Sequence, residues 1–248
     1  MAPGTFLLVF SEPGPDVAQD EYHDWYEHEH IPLRVNTPTF LNWTRWKAVD
    51  GEKPNYGASY DLESYEATQK APYTTLAETR SEREKDILRR IQVLDKRHYE
   101  LVEGSSHPPS ALYEATKRAP YVVFVSLGFK QEYEKEFNKW YDEEHIPMLA
   151  KAPGWIRTRR FVLKDWIRTG VEGQKGQKEP PKYLAVHEWQ SMDGFQSAEY
   201  KAAMSTPWRE RVMQGNSYRQ TRNSWSAPLL EHCQMVNMHN MPVWLFTP

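Results

Sequence analysis

Trp25-Tyr26-Glu27-His28-Glu29-His30-Ile31-Pro32-Leu33 recurs 115 positions later as Trp140-Tyr141-Asp142-Glu143-Glu144-His145-Ile146-Pro147-Met148, with six of nine residues identical. The match extends outward at the same offset. Upstream, Phe6-Leu7-Leu8-Val9-Phe10 lands on Tyr121-Val122-Val123-Phe124-Val125. Downstream, Pro38 lands on Pro153, Phe40 on Trp155, Leu41 on Ile156 and Arg45 on Arg160. Strand, helix and strand signals follow in the same order around both strings, which marks a copied structural unit.

Each unit reads as β-α-β-β-α-β. In the first, residues 5–10 form an apolar strand, and a helix over 18–30 brings Tyr22, Trp25, Tyr26 and Glu29 to one face. Pro32 is expected to end that helix. Alternation predicts strands over 40–49 and 56–63, a helical stretch over 65–90 broken at Pro72, and a closing strand over 91–102. The second unit repeats the order over 121–127, 132–145, 155–163, 182–189, 192–213 and 217–226. This is the split βαβ arrangement of ferredoxin-like folds, an α+β class. The predicted boundaries are 1–103 and 119–229 for the units, 104–118 for a linker, and 230–248 for an apolar tail packed on the body. Residues 164–181, rich in Gly, Lys and Gln, read as an inserted loop able to close over a ligand. A four-stranded sheet with helices on one face leaves the other bare, so the two units are expected to cover each other as an intramolecular barrel.

The string W-Y-x-x-E-H-I-P-[LM], with a strand before it and an aromatic strand after it, resembles the EthD-like branch of the dimeric α+β barrel superfamily. The resemblance covers residues 5–102 and 119–226. It implies a split barrel with a small-molecule cavity between sheet and helices, and in many members chemistry without metal or organic cofactor. Related branches include muconolactone isomerases, polyketide cyclases, dehydratases, decarboxylases and quinone-forming monooxygenases. Haem-binding branches with tandem repeats are similar in architecture but not in motif.

Bulk properties narrow the partners. A net charge of -3 over 248 residues argues against nucleic acid. Ten Trp, fourteen Tyr and nine Phe supply walls for a flat or oily ligand as well as core. A single cysteine, Cys233, suits a reducing compartment. The N-terminal apolar run is short and lacks a basic flank, so a cytoplasmic protein is expected, without membrane partner and as a monomer or weak homodimer.

His30 and His145 stand where the first helix of each unit is expected to end, poised either for proton transfer or as cationic caps on the last carbonyls. Glu29 and Glu144 share a face with Trp25 and Trp140. They are read as proton carriers with raised pKa or as partners of Arg45 and Arg160. Tyr26 and Tyr141 precede the histidines by four, within contact on a helix. His187 replaces Tyr60 of the first unit, inside the alternation Tyr183, Ala185, His187, Trp189. The expected catalytic set is therefore His145, His187, Tyr141, Glu144, His30 and Glu29. Trp140, Trp189, Arg160, Tyr60, Trp25 and Tyr26 are expected to bind substrate, with the second unit favoured as the site. His23 and His28 lack the spacing of a metal motif, and no metal or cofactor is expected.

The residue types suit a cofactor-independent lyase or isomerase that dehydrates, decarboxylates or cyclises a hydrophobic aromatic or polyketide-like molecule. The alternatives are an oxygenase of a phenolic substrate, haem-binding or cofactor-free, and a non-enzymatic binding protein for an apolar ligand.

Overall fold

Strand β1 (Thr5–Glu12) is buried along its whole length, because one face meets helices and the other a barrel interior. The computed structural model describes residues 4–104, 107–175 and 178–226, the stretch 216–226 by backbone alone. After β1, helix α1 (Gln19–Trp25) runs through a wide π turn, Tyr26–His30, into α2 (Ile31–Val35). Then come β2 (Thr44–Ala48), β3 (Tyr56–Leu62), α3 (Glu82–Arg90) and β4 (Val93–Leu101). The second half follows the same plan. It has β5 (Tyr121–Phe129), α4 (Gln131–Trp140), a π turn at Tyr141–His145 and α5 (Ile146–Leu149), then β6 (Trp155–Thr169), β7 (Tyr183–Trp189), α6 (Ala198–Ala203), α7 (Pro207–Gln214) and β8 (Asn216–Ser226).

Among the described residues, eight strands close one antiparallel barrel in the order β1-β3-β2-β8-β5-β7-β6-β4. Each half contributes a ferredoxin-like sheet, and the halves join where β4 pairs β6 and β2 pairs β8. Closure removes the free edges that an isolated sheet would expose. The interior is filled from both halves by Phe6, Leu8, Phe10, Trp46, Tyr99, Val122, Phe124, Phe161, Leu184 and Val186. Burying each of the larger ones contributes on the order of 1.5–3 kcal/mol. Arg159 of β6 reaches Asp61 of β3 at 2.6 Å, an ion pair across the halves. Two further cores lie between the sheet and the helices, one in each half.

Several local expectations are corrected. Pro32 does not end the first helix. The Ile31 amide bonds back five residues to the Tyr26 carbonyl, and Pro32 then occupies the first turn of α2, where a missing N–H costs nothing. His30 and His145 consequently lie inside continuous helix and are not caps. The second strand is shorter than 40–49, with Phe40 bridging Leu62 as a single pair. The stretch 65–90 holds two short 3-10 turns before α3.

Residues 164–169 are not a loop. They lengthen β6 and pair with β4 from His98↔Asp165 to Leu94↔Thr169. The turn beyond them is tied to the first half by Val171 N–H to the Ile91 carbonyl and Glu172 N–H to the Gln92 carbonyl, both 2.9 Å. Gly170 (φ +99°) is required there, since a Cβ would meet those two carbonyl oxygens at 2.7 Å. The insertion, as far as residue 172, therefore closes the barrel against the first half. Cys233 and the predicted tail at 230–248 lie outside the described residues.

Candidate functional site

A cavity of about 380 Å³ lies between sheet and helices in the second half. Its sheet side is Val123, Val125 and Leu127 of β5 with His187 and Trp189 of β7. Trp140, Tyr141, His145 and Leu149 cover it from α4, the π turn and α5. Met192, Phe195, Tyr200, Met204, Arg209 and Met213 complete the wall. Flexible methionines among rigid rings suit a flat apolar guest.

The polar atoms here are few and specific. The His145 ring stacks on Trp140 at 4.3 Å, and its centroid is 6.3 Å from that of His187, the two planes perpendicular. The Ala203 backbone accepts a hydrogen bond from the His145 ring, while Nδ1 is buried without a partner. Burial, reinforced by His187, Arg209 and Arg160, holds its pKa well below the ordinary value, so the ring is neutral. His187 Nδ1 lies 2.9 Å from Thr158 Oγ1, which also accepts from Trp155 Nε1 at 3.1 Å. Burial, with help from Arg160, lowers the His187 pKa to about 4. Trp189 Nε1, like His145 Nδ1, is buried without a partner.

The structure thus brings His145, His187, Tyr141, Trp140 and Trp189 to one cavity. Other expected site residues stand elsewhere. Glu144 does not pair with Arg160. It accepts from Trp140 Nε1 at 3.0 Å and from Thr206 Oγ1 at 2.5 Å, and Thr206 is the N-cap of α7. Glu29 likewise accepts from Ser81, the N-cap of α3, and not from Arg45. Both glutamates tie the first helical segment to the last helix of their half.

The arginines meet the opposite pair of positions. Arg45 bonds Glu27 at 2.8 Å and His23 at 3.0 Å, and Arg160 bonds Asp142 at 3.1 Å and Asn138 at 2.5 Å. Each guanidinium also lies over a tyrosine, Arg45 at 4.5 Å from the Tyr26 centroid and Arg160 at 4.4 Å from that of Tyr141. Arg160 therefore supports the cavity wall from behind. Trp25, Tyr26 and Tyr60 are buried in the core of the first half. His30 donates from Nδ1 to Glu84 at 2.9 Å, and burial keeps its pKa well below the ordinary value, so it is not a cationic cap.

Arg209, Met192, Phe195, Tyr200, Met204 and Met213 were not foreseen as lining residues. For Arg209 a signal exists. Ser81 and Thr206 are equivalent N-caps, each accepting the amide of the third helical residue, which is Glu84 in one half and Arg209 in the other. A charge reversal at matched cap positions is visible once the caps are aligned.

No family model and no curated protein sequence matches the chain. Solved structures do. An anthrone oxidase-like protein superposes with a TM-score of 0.50 at 13% identity, over 90% of each chain. A monooxygenase-like protein from Fusobacterium nucleatum gives 0.51 at 9%, over 92% of this chain and 94% of that one. A mutant chlorite dismutase from Candidatus Nitrospira defluvii gives 0.53 at 10%, over 92% and 93%. The fold is that of the dimeric α+β barrels. At these identities the likeness extends to the fold and no further. Among the described residues no helix is long and apolar enough to cross a membrane.

Proposed function

We propose that the protein is an enzyme that deprotonates a flat, hydrophobic anthrone-type ketone with phenolic rings and lets the resulting anion react with dioxygen, without a bound cofactor. The observation that carries this reading is the partnerless Nδ1 of His145 inside an aromatic-walled cavity. A neutral imidazole in such a place is a general base with no competing partner. His145 removes a proton from the activated carbon, and the electron pair delocalises onto the substrate oxygen. His187 and Trp189 are the N–H groups placed to receive that charge, in a site where exclusion of water strengthens them. The anion gives an electron to dioxygen, the radicals combine at carbon, and the hydroperoxide takes back a proton and loses water. The balance is R₂CH₂ + O₂ → R₂C=O + H₂O. Names among the fold neighbours support an oxygen-dependent reaction as first choice.

A haem suits these residues poorly. Arg209 is the one cation among the described lining residues, against two propionates. A cofactor-independent lyase or isomerase begins with the same proton removal and is the second reading. Oxygen separates the two. With 1,8-dihydroxyanthrone as probe, an oxygenase consumes one O₂ per quinone formed and stops under argon. Turnover that continues without oxygen supports dehydration, decarboxylation or cyclisation instead, and saturable binding with no product supports a carrier. A Soret band in the purified protein would establish a haem enzyme.

We further infer that the halves, residues 1–103 and 119–229, descend from one duplicated EthD-like unit. Because the sheet edges pair within the chain, it is proposed to act as a cytoplasmic monomer or weak homodimer on a hydrophobic small molecule.

A further inference from the structure

The inference rests on the acid–base reading of this cavity and concerns which proton each histidine carries. Thr158 is 7% exposed and lies on β6 behind His187. Its hydroxyl oxygen already accepts the indole N–H of Trp155. The hydroxyl proton is itself buried and needs an acceptor, since leaving one unmade costs more than a hydrogen bond returns. Among the described residues the acceptor within reach is His187 Nδ1, at 2.9 Å. Nδ1 therefore holds the lone pair and the ring proton sits on Nε2, the nitrogen left for a ligand. His145 has the opposite disposition. With Ala203 accepting from its ring and Nδ1 partnerless, Nε2 carries the proton and Nδ1 presents a lone pair.

We infer that the cavity is built for an enolisable or phenolic aromatic carbonyl, which gives a proton to His145 Nδ1 while its oxygen accepts from His187 Nε2–H, and that Thr158 is the positioning residue holding His187 as a donor. Trp189 Nε1, a second donor without a partner, suits a further oxygen on the same ring system, as in a hydroxyketone. An apolar ligand lacking an oxygen acceptor leaves two buried N–H groups unmet and is discriminated against. Thr158 and Trp155 touch no ligand in this scheme. They act through His187 alone.

The test uses the full chain labelled with ¹⁵N-histidine, with His187→Gln to assign the His187 signals. The wild type is expected to show His187 with a protonated Nε2 and a bare Nδ1 near neutral pH. Thr158→Val, which keeps the shape and removes the hydroxyl, should lose this tautomer preference. It should also bind 1,8-dihydroxyanthraquinone roughly tenfold to a hundredfold more weakly, the scale of one or two hydrogen bonds in a dry site. Thr158→Ser should restore both readouts, and Trp155→Phe should weaken the tautomer preference with the ring still in place. A wild-type His187 protonated at Nδ1 overturns the inference. So does a folded Thr158→Val with unchanged tautomer and unchanged quinone affinity. The tautomer is read without turnover. A protein that shows the expected tautomers but no oxygen uptake refutes the oxygenase reading while leaving the ligand assignment standing.

Discussion

The same helix-borne histidine meets opposite charges in the two halves. His30 gives its Nδ1 proton to Glu84, whereas His145 has Arg209 at the matching place, and an arginine offers no acceptor. In the first half the histidine, its carboxylate, Tyr26 and Tyr60 are all buried. In the second, His187 replaces Tyr60 with a smaller ring, and a cavity lies beside it. One charge reversal and one ring substitution distinguish a satisfied core histidine from one whose Nδ1 is buried without a partner.

The broadest test concerns whether either half stands alone. Residues 1–110 would expose the edges of β2 and β4 and the interior face carrying Phe6, Leu8, Phe10 and Trp46. Expressed alone, this piece is expected to aggregate or self-associate, as read by light scattering. A stable monomer would mean that barrel closure is not what holds the halves together.

The next largest effect separates the histidines. His145→Ala should lower turnover by at least about a hundredfold, the usual size of a lost general base. Arg209→Glu should do the same by recreating the His30–Glu84 arrangement and occupying Nδ1. His30→Ala should leave turnover nearly intact and cost roughly 1–3 kcal/mol of stability, because Glu84 loses its hydrogen bond in a buried place. Rates and melting temperatures of the three variants decide the matter, and an inactive but stable His30→Ala would move the site to the first half.

How much of this contrast the sequence discloses depends on the kind of signal. The nine-residue string and the alternating strands carry the element order, because burying one face imposes a period on the residues that do it. The barrel seam carries no such period. Lys164–Thr169 is partly exposed and, apart from Trp166 and Ile167, polar, and it pairs with β4 through backbone groups that any residue supplies. It therefore resembles a loop in sequence. In the site, His145, His187, Tyr141, Trp140 and Trp189 are legible because their residue types are conspicuous at aligned positions. Arg209 is ordinary on an exposed-looking helix and gains meaning only from the cap preceding it. The partners of Glu29 and Glu144 were illegible for a related reason, being hydroxyls on another helix far along the chain.

Acid should affect both halves in the same direction. Burial pulls His30, His145 and His187 below their ordinary pKa, so the folded protein holds them neutral while the unfolded chain binds protons near 6.5. A depressed histidine pKa contributes no penalty above about 6.5 and destabilises progressively as pH falls from there toward the folded value. For His187, between 6.5 and about 4, the loss is roughly 3 kcal/mol. Melting temperature should therefore be level above neutrality and fall between pH 6.5 and 4, with His187→Gln showing a shallower fall. A melting temperature unchanged across that window would mean that the rings titrate normally.

The smallest effect sharpens the comparison most finely, because it touches matched residues. Ser81 and Thr206 cap α3 and α7, and each also donates to the glutamate of the opposite helical segment. Removing either hydroxyl, as Ser81→Ala or Thr206→Ala, should cost about 1 kcal/mol, the usual value of an N-cap. Their consequences for chemistry should differ. The α3 cap steadies Glu84, whose histidine does no work in the proposed reaction. The α7 cap steadies Arg209 and, through Glu144, the helix that carries Trp140 and His145. Equal losses in melting temperature with a severalfold drop in turnover for Thr206→Ala alone is the expected result. Equal drops in turnover would show that the rate follows overall stability, and that the second half is not privileged.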